Sequence, residues 1–85
     1  MPNIIFTAHA IYKFSFFKKH KIIISKNQVK DAIIKGKIVD TSEYPKIQSV
    51  GEYNKNYSLV TIYRKDEKSI IVITFWIAEK GRYEN

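Results

Sequence analysis

Residues 57–78 read YSLVTIYRKDEKSIIVITFWIA, and this stretch decides the fold. From Tyr57 to Arg64, the residues Tyr57, Leu59, Thr61 and Tyr63 alternate with Ser58, Val60, Ile62 and Arg64, the two-residue period of a strand. Lys65-Asp66-Glu67-Lys68 is a polar break between two β-type runs and predicts a hairpin loop. Ile70 to Ala78 is apolar at both parities, so it predicts a central strand covered on each side.

Upstream of this hairpin, Lys37 to Thr41 starts a strand and Ser42-Glu43-Tyr44-Pro45 is a turn or an edge bulge. Lys46 to Val50 continues or resumes the extended chain, and Glu52 to Asn56 is a polar turn. The N-terminal third changes period. Asn3 to Thr7 reads as a short strand, and Thr7 caps a helix from about Ala8 to Lys19. Ala10, Ile11, Phe14 and Phe17 are expected to face the core, with His9, Tyr12, Lys13, Phe16, Lys19 and His20 on the other side. Ile22-Ile23-Ile24 is an apolar connection. Ser25 and Gln28 match a capping box, opening a second helix to about Lys35 whose buried face is Val29, Ala32 and Ile33. Gly36 stops it where a left-handed residue is expected. The predicted order is β-α-α-β-β-β: an α+β domain over residues 1–85, two N-terminal helices packed on an antiparallel sheet.

Eighty-five residues, 45% hydrophobic, suffice for one small core and argue against a disordered chain. The absence of cysteine excludes a disulfide framework, a thiolate zinc site and a cysteine nucleophile. No apolar run reaches the length of a membrane span, and the N-terminus lacks a secretion-signal pattern, so a cytoplasmic protein without a membrane partner is expected. The net charge of +7 is unevenly spread. Residues 1–37 carry eight Lys and one acid, Asp31, while residues 38–85 carry seven bases and seven acids. The whole excess therefore lies on the helical segment. Such a cluster suits a phosphate backbone or an acidic partner; it also suits a chain that uses Lys wherever a surface cation is wanted, since Lys outnumbers Arg thirteen to two. Lys18, Lys19, Lys26 and Lys30 are the expected RNA-binding lysines.

The sequence has no Gly-rich phosphate loop, no nucleophile elbow and no close pair of carboxylates. His9 and His20 are three helical turns apart, about 16 Å, too far to share a metal; no metal or cofactor is expected. What remains is basic and aromatic: His9, Tyr12, Lys13, Arg64, Trp76, Arg82 and Tyr83. His9, in the first turn of its helix, can accept a proton or a hydrogen bond, or simply close the helix start. Lys13 lies one turn on, close enough to reach the same object. Arg64 and Arg82 bring a bidentate fork for phosphate where Lys is the default, and Tyr83 adds a ring that can stack on a base.

Phe6-Thr7-x-His9-Ala10, Lys13, Ile24-Ser25-x-x-x-Val29, Val72-Ile73-Thr74-Phe75 and Gly81-Arg82-Tyr83-Glu84 together resemble a group of small prokaryotic domains that look like the RelE/BrnT superfamily of toxin-type folds. The resemblance covers nearly the whole chain. Trp76 and Ile77 depart from it, standing where those domains carry Tyr and Pro. It implies a β-α-α-β-β-β fold, an acidic antitoxin-type partner and a metal-independent endoribonuclease in which the RNA 2′-hydroxyl attacks its own phosphate. His9 would then be the base, Lys13 and Arg82 would support the phosphorane charge with Arg64 nearby, and Tyr83 would stack on a base or donate a proton. The competing expectation is a non-catalytic module that binds nucleic acid or a protein through its basic helices.

Overall fold

Two capped helices are laid on a five-stranded sheet in the computed structural model, which describes residues 3–81. The element order is β1 (Asn3–Phe6), α1 (Ala8–Lys19), α2 (Lys26–Lys35), β2 (Lys37–Asp40), β3 (Lys46–Glu52), β4 (Tyr57–Lys65) and β5 (Ser69–Glu79). Thr7 stays extended and its hydroxyl accepts from the Ala10 amide at 3.1 Å, which opens α1. Ser25 and Gln28 form the expected capping box, with Ser25 Oγ accepting from the Gln28 amide and Gln28 Oε1 from the Ser25 amide. α1 closes differently from α2. The Ile22 amide donates to the Phe17 carbonyl and the Lys21 amide to the Lys18 carbonyl, with Lys21 left-handed at φ 64°. This is the double hydrogen-bond pattern of a Schellman end, with Lys in the place usually given to Gly.

The strand order is β1-β5-β4-β3-β2. β2, β3, β4 and β5 pair antiparallel in sequence order, while β1 pairs with β5 in parallel, Phe6 opposite Val72. α1 lies over β5 and β1, and α2 over β3 and β4. Between the layers sit Ala10, Phe17, Val29, Ala32, Ile33, Ile47, Leu59, Tyr63, Val72 and Phe75. Phe75 is fully buried and receives Phe14 and Phe17 at ring separations of 4.7 and 5.9 Å, so α1 is seated on β5 through aromatic contacts. Burial raises the Tyr63 phenol above its ordinary value. The buried Ser49 and Thr61 hydroxyls satisfy each other at 2.6 Å.

The α+β class, the two helices and the placing of Ile70 to Ala78 inside the sheet agree with the sequence, but several details differ. The sheet is mixed, not antiparallel: β1 is joined to the rest through two helices and lands beside the last strand, where its direction is parallel. Four strands follow the helices rather than three, because Ser42 to Pro45 separates β2 from β3. Ile11 is 43% exposed. At about 100° per residue, Ala10, Phe14 and Phe17 define the buried line and Ile11 falls a quarter-turn from it. Lys13 falls nearer to that line and is half-buried. Gly36 is not left-handed, having φ −84°. Glycine is required there for space, since a Cβ would collide with the carbonyl oxygens of Ala32 and Val50. Finally, β5 is covered by helices on one side only.

Candidate nucleic-acid interface

The start of α1 is fixed by an irregularity in β5. The β4–β5 pairing runs Ile62 to Thr74 and then Tyr63 to Val72, passing over Ile73. The bulge leaves the Ile73 carbonyl free to accept the Thr7 hydroxyl at 3.1 Å, while the Val72 carbonyl accepts the Thr7 amide at 3.0 Å. One threonine therefore ties the sheet to the helix two residues before His9.

From that anchor, residues spaced by three and four place His9, Tyr12, Phe16 and His20 along one flank of α1. Their rings form a continuous ladder: His9 to Tyr12 is 6.4 Å between centroids, Tyr12 to Phe16 is 6.2 Å and Phe16 to His20 is 4.7 Å. His9 and His20 are exposed, Tyr12 is 55% exposed, and Phe16 is half-buried with its edge on Phe17. Lys13 projects its ammonium over the Phe16 and Phe17 rings at 5.5 and 5.1 Å, a cation–π seat that fixes a positive charge beside the ladder. Two imidazoles, two aromatic faces and one cation thus occupy a single helix flank. Flat rings with an adjacent cation are what unpaired bases and their phosphates use.

Lys18 and Lys19 lie in the last turn of α1, where the helix dipole favours cations, and Lys21 follows in its left-handed position. Lys18 also stands on the rim of a groove of about 330 Å³ bounded by Phe14, Ser15, Ile23 and Ile24. Lys26 and Lys30 are one turn apart on α2; the Lys26 ammonium lies 5.6 Å from the Phe6 ring and Lys30 is half-buried. All five belong to the helix layer. Arg64 does not. It pairs with Lys46 across β3–β4 and alternates with the inward Tyr63, which puts it on the sheet face away from the helices. Arg82 and Tyr83, expected to complete a site with His9 and Lys13, lie outside the described residues.

Three members of this surface were not among the expected site residues: Phe16, His20 and Lys21. The spacing 9-12-16-20 was the legible signal for the first two. Lys21 had none, because only the backbone angle shows a Lys where Gly is the easier residue. No protein-family model matches the chain, no curated protein matches it, and no solved structure matches it. Among the described residues, no helix is long and apolar enough to cross a membrane, and no three His, Asp or Glu side chains are grouped as a metal would need.

Proposed function

We propose that the chain binds single-stranded RNA through the exposed flank of α1, with the lysines of the helix layer on the phosphates. The observation that carries this reading is the ring ladder His9–Tyr12–Phe16–His20, with Lys13 seated beside it, on the half of the chain that holds the entire +7. Tyr12 is the exposed aromatic ring of the row, with Phe16 half-buried beside it, and stacking on bases contributes about 1–3 kcal/mol each. An acidic partner of the antitoxin kind would take the same surface and compete with RNA for it.

The toxin-like resemblance extends this reading to cleavage. His9 takes the proton of a 2′-hydroxyl, the 2′-oxygen bonds to phosphorus as the bond from phosphorus to the 5′-oxygen breaks, and the 5′-oxygen takes a proton from water, giving a 2′,3′-cyclic phosphate and a 5′-hydroxyl. The competing reading is a non-catalytic module that binds through the same flank, with Lys13 held beside the rings as a phosphate contact.

The test is fluorescence anisotropy with a labelled single-stranded RNA, followed by gel analysis of the same mixtures. Tyr12→Ala is expected to weaken binding by about 5–100-fold, from the stacking term alone. His9→Ala is expected to cost cleavage about 100-fold or more while leaving most of the binding. Binding without cleavage by the unmodified chain selects the non-catalytic reading; no binding at low salt refutes both.

A further inference from the structure

Among the described residues, the sheet's outer face carries no helix layer, and the proposed RNA contact does not use it. Its residues follow from register. Val60 lies opposite Trp76, Val50 opposite Val60, and Arg64 opposite Ile71, so Ile71, Trp76 and Ala78 of β5 share this face with Val60 and Ile62 of β4 and Val50 of β3. On β1, Ile4 and Phe6 pack inward, leaving Ile5 outward and 49% exposed. Val50, Val60 and Ala78 form a small cluster of their own, with Trp76 packed on it and half-buried. A sheet with one face in water normally alternates apolar and polar residues. Here Ile5 is exposed and Ile62, Ile71 and Trp76 are half-buried, while Val50, Val60 and Ala78 are buried with Trp76 packed on them; Gln48, Ser58 and Thr74 are the polar residues that share the face.

We infer that this face is the contact between two copies of the chain, sheet against sheet, and the inference does not depend on RNA binding. Two considerations select a second copy. The first is charge. Residues 1–37 hold the whole excess, and residues 38–85 balance seven bases against seven acids. Around the face, Lys46 and Arg64 stand near Asp40 and Glu43, which share a small groove with Lys46 and Ile62, and Lys80 pairs with Glu52 at 3.2 Å. A neutral apolar face can meet its own copy without repulsion, and the pairing turns both basic helix layers outward. An anionic partner would be drawn to the helices instead. The second is area. With strands about 4.8 Å apart and a rise of about 3.3 Å per residue, the five strands present roughly 550 Å² per copy. A pair that covers the whole face buries at most about 1,100 Å², close to the lower bound for a specific interface. Packed sheets keep their strands within about 30° of alignment, and Trp76 near the middle of the patch is the kind of residue that dominates such contacts. The expected association is reversible and weak, with a Kd roughly in the micromolar range for an interface at the small end.

Sedimentation velocity from about 1 to 500 μM, a range that brackets that Kd, tests the mass. Trp76 is the only tryptophan, so its emission reports on this face alone. The expected result is a dimer that dissociates on dilution while Trp76 emission shifts to the red over the same range. Ile5→Gln/Ile62→Gln is expected to weaken the dimer at least about tenfold, and Ile11→Gln, on the helix layer, to leave it unchanged. A chain that stays monomeric throughout overturns the inference. So does a dimer that the double variant leaves intact, or one that dissociates with no change in Trp76 emission. If the double variant fails to fold, the emission and mass of the unmodified chain decide alone.

Discussion

Replacing Lys18, Lys19, Lys26 and Lys30 together with Gln should flatten the salt dependence of RNA binding, and replacing Arg64 should not. Each phosphate contact on a single strand contributes about 0.7 to the slope of log affinity against log salt. Lys18 and Lys19 are exposed at the end of α1 and are free to make full contacts. Lys26 leans over the Phe6 ring and Lys30 is half-buried, so their share is smaller. The slope should therefore fall by about 1.4 from the first pair and by up to about 2.8 from all four. Between 50 and 200 mM salt, the unmodified chain should lose about 7- to 50-fold more affinity than the variant. Arg64 stands on the other face of the sheet beside Lys46, and Arg64→Gln should leave the slope within about 0.3 of its original value, less than half of one contact. Anisotropy titrations at four or five salt concentrations measure both. An unchanged slope in the quadruple variant, or a loss at Arg64 equal to that of the four lysines, refutes the assignment of RNA to the helix layer.

Gly51→Ala should destabilise the fold by about 2–4 kcal/mol and lower the Tm by about 10–20 °C. A Cβ there would meet the Ala32 Cα at 2.5 Å and its carbonyl oxygen at 2.7 Å, backbone atoms of α2 that cannot rotate away; a Tm within a few degrees of the parent contradicts this packing. Lys21→Gly should raise stability by about 0.5–1 kcal/mol by relieving the left-handed lysine, while weakening RNA binding; denaturant midpoints and anisotropy check the two halves. Tyr63 has a raised phenol pKa because it is buried. Its contribution to stability is thus complete below the unfolded phenol value, about 10, and is lost as pH rises through the higher folded value. Urea midpoints at neutral and strongly alkaline pH should fall less steeply for Tyr63→Phe than for the parent, and equal falls would show that Tyr63 carries none of the alkaline sensitivity.

The helix starts were legible because capping is local. Thr7 and Ser25 each bind an amide three residues on, and no distant partner is needed to see it. The strands from Tyr57 to Glu79 were legible because alternation and apolar runs are local too. The parallel pairing of β1 was not, since it depends on where two helices return the chain. Gly36 illustrates the same limit. Its place after α2 was readable, but part of the reason for glycine lies in Val50, fourteen residues further on and brought close by the β2–β3 pairing, beside the Ala32 carbonyl of α2. The site divides in the same way. His9 and Lys13 share a helix and could be placed by spacing, whereas the removal of Arg64 to the other face follows from strand register. The β5 strand was read as apolar on both sides, and so it is; the helices cover one of them.

The proposed RNA contact runs along the exposed flank of α1. Amide chemical-shift mapping with a short single-stranded RNA tests it most directly. The largest shifts are expected at His9, Tyr12, Lys13, Phe16 and His20, with smaller ones at Lys18, Lys19 and Lys21 and none at Ile62, Arg64 or Trp76. Shifts concentrated on the outer face of the sheet, or no shifts at low salt, would contradict it.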